Sequence, residues 1–154
     1  MPSVKLKRTS KNGGIAGLKI RSGKLDGIGV YVGHDSSSGQ YPGKNGPSVA
    51  SVGKWNSEGT DRIPKRDYLA KLVKQYAQKY RKVMGAMSRN FLAGRLDRAK
   101  ANRNMGIRGV REFKAIITAW RLPRNAASTI QRKGFDDPLI HTKRLLRSVM
   151  WKDK

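Results

Sequence analysis

The sequence predicts an α+β domain: a small, mostly antiparallel sheet packed by one long helix and a second core helix, with a short helix and strand at the C-terminus. Three observations predict it. Alternating apolar and polar residues, broken by glycine-rich turn signals, crowd the first third of the chain, and most of the 17 glycines fall before residue 60. Apolar residues then recur at three- and four-residue spacing from Tyr68 to Phe91 and again from Val110 to Trp120. The stretch Asn125 to Trp151 packs a helix, a stop, a turn and a final apolar segment into a short span. The 154 residues carry no internal repeat or Pro-rich linker, so they read as a single domain over 1–154 with its own core.

Each element has its own signal. Ser3 to Thr9 alternates Val4 and Leu6 with Lys5, Lys7 and Arg8, which is a half-buried strand. Lys11-Asn12-Gly13-Gly14 is a turn that lets Ile15 to Ile20 pair back, and Arg21 to Lys24 turns again. Gly27 to Val32 is the best strand, with Ile28, Val30 and Val32 on one face. Gly33 to Pro47 is rich in Gly, Ser and Pro and long for a connection, so it reads as a flexible loop. Ser48 caps a short helix to Asn56, with Val49, Val52 and Trp55 as its apolar edge, and Glu58-Gly59-Thr60 ends it.

Pro64 suits the first turn of the long helix, whose stripe includes Tyr68, Leu69, Leu72, Tyr76, Tyr80, Met84 and Phe91. Gly85 and Gly94 bend or end it. Arg95 to Arg103 has Leu96 as its one large apolar residue and reads as an exposed turn or two. Asn104 to Gly109 is a break, and Val110 to Trp120 is the second core helix, with Pro123 beyond its end. Asn125 caps the helix Ala126 to Lys133, Gly134 supplies a left-handed stop, and Asp136-Asp137-Pro138 turns. Leu139 and Ile140 are buried, and Leu145 to Trp151 closes the chain as an amphipathic segment.

Composition excludes several classes of function. There is no cysteine, which removes disulfides and thiolate metal sites, and the two histidines, His34 and His141, are far apart in sequence. The ten acidic residues are scattered, and the one adjacent pair, Asp136-Asp137, is explained by the turn at Pro138. His34-Asp35 followed by three serines sits in a flexible loop, where triad geometry is not held. No catalytic residue, cofactor or metal is expected. No apolar run reaches the ~18 residues of a membrane span, and the N-terminus lacks a signal-peptide apolar region, so a soluble chain is expected.

The anomaly is charge: 34 Lys and Arg against 10 Asp and Glu, net +24. Such a surface calls for a polyanion or acidic neighbours. The expected contact residues are Lys71, Lys74, Arg81 and Lys82 on the polar face of the long helix, with Arg132 and Lys133 at the end of the short one. The pattern holds no zinc finger, no aromatic pair on a strand and no convincing helix-turn-helix, so any nucleic acid would be held through phosphates.

Four motifs, in order, resemble the bacteriophage tail-completion (virion-morphogenesis, head–tail joining) family. Gly29-Val30-Tyr31-Val32-Gly33 resembles its strand before a variable loop, and Val49 to Gly59 resembles its short helix leading to an E-F-G motif. Ile63 to Leu69 resembles its I-P-x-R-x-F-L start of a long helix. Ala127 to Gly134, then Pro138-Leu139-Ile140, Thr142, Leu145 and Ser148-Val149, resembles its S-x-x-T-I-x-R-K-G helix followed by P-L-I-D-T-G-x-L-x-x-S-I. His141 and Lys143 stand where that pattern has Asp and Gly. The resemblance implies a structural virion subunit that forms a homo-oligomeric ring between connector and tail. Connector, neck and tail-tube proteins would be its partners, and packaged DNA would be touched through phosphates. It would reside in the neck or tail of the virion, and in the host cytoplasm during assembly. The alternative reading is a sequence-nonspecific nucleic-acid-binding protein of ribosomal or nucleoid type, which accounts for the charge more directly.

Overall fold

The computed structural model describes residues 4–9, 16–22 and 28–153. It is an α+β fold. β1 (Val4–Thr9), β2 (Ala16–Ser22), β3 (Gly29–His34) and β4 (Val149–Asp153) form one antiparallel sheet in the order β1-β2-β3-β4. The expected N-terminal hairpin is present, with Leu6 opposite Ile20. The turn at Lys11–Gly14, the turn residues Gly23 and Lys24, and Gly27 lie outside the described residues. The C-terminus supplies the fourth strand, with Trp151 opposite Val32 and Val149 opposite His34.

The helical layer covers the face of β3 that carries Val30, Val32 and His34, all fully buried. α2 (Tyr68–Leu92) and α3 (Arg98–Thr118) pack on each other there, α2 against β1 and β2 and α3 against β3 and β4. The core joins Ile28, Val30 and Val32 to Tyr68, Leu72, Tyr80 and Met84 of α2 and to Met105, Phe113 and Ile117 of α3. Burial of an aliphatic or aromatic side chain of this kind contributes about 1.5–3 kcal/mol. Asn102 of α3 ties β3 and β4 together at one end of their pairing: its Oδ1 accepts from the Gly29 amide at 3.0 Å, and its Nδ2 donates to Asp153 Oδ1 at 2.8 Å.

Several expectations are corrected. The break at Asn104–Gly109 does not exist; α3 runs unbroken, capped by Asp97, whose side chain accepts from the Lys100 amide at 2.7 Å. Its glycines serve close packing. A Cβ on Gly106 would lie 2.1 Å from the Trp151 ring, and one on Gly109 would lie 2.7 Å from Val32 Cγ2. The exposed turns at Arg95–Arg103 are the linker and the first turns of this helix, where Ala101 and Asn102 are buried. α2 starts at Tyr68 and not at Pro64, because Asp67 caps it by accepting from the Ala70 amide. It continues through Gly85, ends at Leu92, and leaves Gly94 in the left-handed region.

α1 (Val49–Glu58) is capped by Ser48 as expected, but its buried side is Val49, Ala50, Gly53 and Ser57. Trp55 faces outward at 40% exposure, because Gly53 is the residue set against His34 and Tyr68. The loop expected from Gly33 begins at Asp35: Gly33 and His34 belong to β3, and a 3-10 turn covers Ser36–Ser38. The rest is pinched by a Gln40–Ser48 bridge and by Tyr41 donating to the Pro47 carbonyl at 2.9 Å. No helix among the described residues is long and apolar enough to cross a membrane.

After α3 the chain turns through a cis Leu122–Pro123 peptide into α4 (Ala127–Lys133) and then α5 (Arg144–Arg147). Asn125 does not cap α4. Its side chain donates to Asp136 Oδ1 at 3.0 Å, which leaves Ala126 at the cap position with no side-chain bond. Gly134 makes the expected left-handed stop at φ 79°. Lys143, also left-handed at φ 60°, is the only non-glycine residue with positive φ among the described residues.

Candidate functional site

A groove of about 330 Å³ is formed by α1, the α1–α2 connector, α4 and the segment Pro138–Leu145. The connector enters through the left-handed Gly59 and is pinned when the Arg66 amide donates to the Asn56 carbonyl at 2.8 Å. Arg66 is the bolt of this region. Only 4% exposed, it donates Nε to the Pro123 carbonyl, Nη1 to Asn56 Oδ1, and Nη2 to the Arg124 carbonyl. One guanidinium fork thereby joins α1, the connector and the chain entering α4, which a lysine could not do. Burial pulls the Arg66 pKa down, and the nearby Asp136 carboxylate opposes that.

Asp136 holds the opposite wall. It accepts from Arg124 Nε, from the Asn125 amide and from Asn125 Nδ2. The Arg124 bond, followed by the Asn125 amide, holds its carboxyl below the usual range. Lys133 reaches over this turn: its ammonium donates to the Asp137 carbonyl at 2.6 Å and sits 4.9 Å from the Phe135 ring centre.

Six lysines and arginines line the groove: Arg62, Arg66, Arg132, Lys133, Lys143 and Arg144. No aspartate or glutamate is among the lining residues. Arg66 and Lys133 are engaged as described, and Arg144 donates to the Gln40 carbonyl at 2.8 Å and lies over the Tyr41 ring. Arg62, Arg132 and Lys143 are paired with no carboxylate among the described residues. Between these cations the surface is apolar, from Val52, Ile63, Pro64, Leu139 and Ile140. The arrangement can take an anionic ligand that also has something apolar to bury.

Of the expected contact residues, only Arg132 and Lys133 come to the groove. Lys74, Arg81 and Lys82 are exposed on the outer face of α2. Lys71 is exposed too, but its ammonium lies 5.1 Å from the Trp120 ring centre. Arg62, Lys143 and Arg144 were not expected as contact residues; their trace in the sequence is a basic residue beside Ile63-Pro64 and the Lys143-Arg144 pair.

His34, Asp35 and Ser148 make a second cluster. His34 Nδ1 lies 2.7 Å from Ser148 Oγ, and that hydroxyl donates to the Leu145 carbonyl at 2.9 Å. The hydroxyl therefore receives the Nδ1 proton, and Nε2 is left buried with no partner. Asp35 bonds Lys152 and Ser37 instead of the imidazole. The serine proton points away from the histidine, so the pair orders β3 against β4 and lacks the relay of a hydrolase triad. Burial drives the His34 pKa down to about 4.

Glu112, on α3, is also buried; its Oε1 meets Lys79 at 2.9 Å and Arg108 at 3.2 Å, while its Oε2 is buried with no hydrogen-bond partner. Burial raises its pKa, but the neighbouring Tyr80 hydroxyl and the Lys79 and Arg108 cations outweigh that and leave it lowered. Among the described residues no three His, Asp or Glu side chains converge as a metal set. No protein-family model, no characterised protein and no solved structure matches the chain, and the groove is its main chemical feature.

Proposed function

We propose that the chain is a structural virion protein of a phage neck, a tail-completion or head–tail joining subunit that assembles as a homo-oligomeric ring between connector and tail. The observation that carries this reading is local. The C-terminal helix–turn–strand has the residue order of the resembled signature, and its left-handed residue, Lys143, occupies the position where that signature has glycine. A left-handed backbone is the physical reason for a glycine in such a pattern. Leu92 at 73% exposure and Leu122 at 70% offer apolar contact points to neighbouring subunits. The ring's partners are connector, neck and tail-tube proteins, and packaged DNA is met through phosphates. Mass spectrometry of purified virions should detect the chain, and electron microscopy should place it at the neck as a ring. Particles that are complete without it refute the reading.

A second reading, a sequence-nonspecific nucleic-acid-binding protein, is favoured by the net charge of +24 and by Arg62, Arg132 and Lys143, which have no carboxylate partner among the described residues. It requires tight binding of DNA or RNA by the isolated chain, lost steeply as salt rises. A discrete ring with no such binding excludes it.

A further inference from the structure

We infer that the groove docks an extended acidic segment of a partner protein. The partner sets one apolar side chain among Ile63, Leu139 and Ile140 and its carboxylates against Arg62, Arg132 and Lys143. Charge complementarity selects the sign of the occupant: the lining has cations and no carboxylate, and these three cations have no carboxylate partner among the described residues. Guanidinium groups at two of the positions suit bidentate carboxylates.

The apolar floor selects a peptide over a nucleic acid. A phosphate backbone has nothing to bury against Leu139 and Ile140, whereas a leucine-like side chain does. Base stacking has little platform either, since the Tyr41 ring is covered by Arg144 and the one other ring in the lining is the small imidazole of His141. A second copy of this chain is a poor occupant. It brings a net charge of +24, and its only adjacent carboxylates, Asp136 and Asp137, are bonded to Arg124 and Arg121. The strained backbone at Lys143 lies on this same rim, and strain held at a rim is a mark of a binding position.

The test uses the isolated full chain, so its outcome is independent of whether the chain is found in virions. A fluorescent acidic peptide of about a dozen residues with one central leucine is titrated in about 0.3 M salt, where long-range attraction is screened within about 6 Å. A sister peptide with glycine for leucine and a single-stranded oligonucleotide of equal charge are titrated alongside. The leucine peptide is expected to bind. The glycine peptide should bind about tenfold more weakly. Arg132→Gln and Arg62→Gln should each weaken the leucine peptide about five- to tenfold. Lys74→Gln, on the outer face of α2, should leave binding unchanged.

Methyl NMR of the unaltered protein should show the leucine peptide shifting Ile63, Leu139 and Ile140, a readout that needs no variant to fold. Equal binding of the two peptides overturns the inference, as does no shift at those methyls. So does equal weakening by Lys74→Gln and Arg132→Gln, which is diffuse attraction. An oligonucleotide that binds more tightly than the peptide and loses affinity on Arg132→Gln assigns the groove to nucleic acid instead.

Discussion

His34 should make the protein acid-labile well above the pH at which carboxylates titrate. The imidazole is fully buried, ringed by Phe113 at 5.2 Å and Tyr68 at 6.1 Å between ring centres, and its pKa falls from 6.5 to about 4 through desolvation. Between these values the unfolded chain holds a proton that the folded chain refuses. Unfolding therefore takes up a proton there, and stability falls as pH drops. The contribution is fully present above pH 6.5 and is lost as pH falls through about 4. A difference of about 2.5 pKa units corresponds to about 3 kcal/mol in all, of which about 2 kcal/mol disappears between pH 7 and pH 5.

Urea unfolding followed by tryptophan fluorescence at pH 7, 6 and 5 measures this directly. His34→Gln is the comparison, because the difference between the two proteins cancels the carboxylates they share. The variant is less stable at pH 7, since it loses the packing against Phe113, but the gap should narrow by about 2 kcal/mol at pH 5. Ser148→Ala should keep the full pH dependence, because burial and not the serine bond lowers the pKa. Parallel stability–pH curves for the wild type and His34→Gln would refute the assignment of a buried neutral imidazole.

Four further substitutions test the fold. Gly106→Ala should cost about 1–3 kcal/mol in urea, because its Cβ meets the rigid Trp151 ring at 2.1 Å, whereas Gly85→Ala, with only Arg89 Nη1 at 3.6 Å, should gain about 0.5–1 kcal/mol. Lys143→Gly should raise stability by about 1 kcal/mol at most, since relief of the left-handed strain exceeds the added chain entropy, and a lowered urea midpoint would contradict the strain. Ala126→Ser should add about 1 kcal/mol by giving α4 the side-chain cap it lacks, with thermal denaturation as the readout.

The core was legible because periodicity follows burial. Ile28, Val30 and Val32 alternate, Tyr68 to Met84 recur every three or four residues, and each set ends up in one layer. Glycine was the ambiguous letter. Gly106 and Gly109 read as a helix break because glycine weakens a helix when nothing else is known. In the fold they are where α3 approaches β3 and β4 most closely, a requirement set by Val32 and Trp151 far away in sequence. Asn125 failed as a cap for a related reason. Its local option, the α4 amides, lost to Asp136, eleven residues on, which local pattern reading does not weigh.

The groove was the least legible part, and its physics explains why. A helix face announces itself through spacing within one segment, so Lys74, Arg81 and Lys82 stood out, yet they are simply exposed on the outer side of α2. The groove draws Arg62 from a connector, Arg132 from α4 and Lys143 from a turn, and no periodicity links them. What brings them together is the buried Arg66 fork and the Asp136 turn, two charged groups consumed by structure. In a chain of net +24 the informative cations are the ones that folding leaves without a carboxylate beside an apolar floor. That selection exists only in three dimensions, because it depends on which of 34 basic residues the ten acidic ones happen to reach.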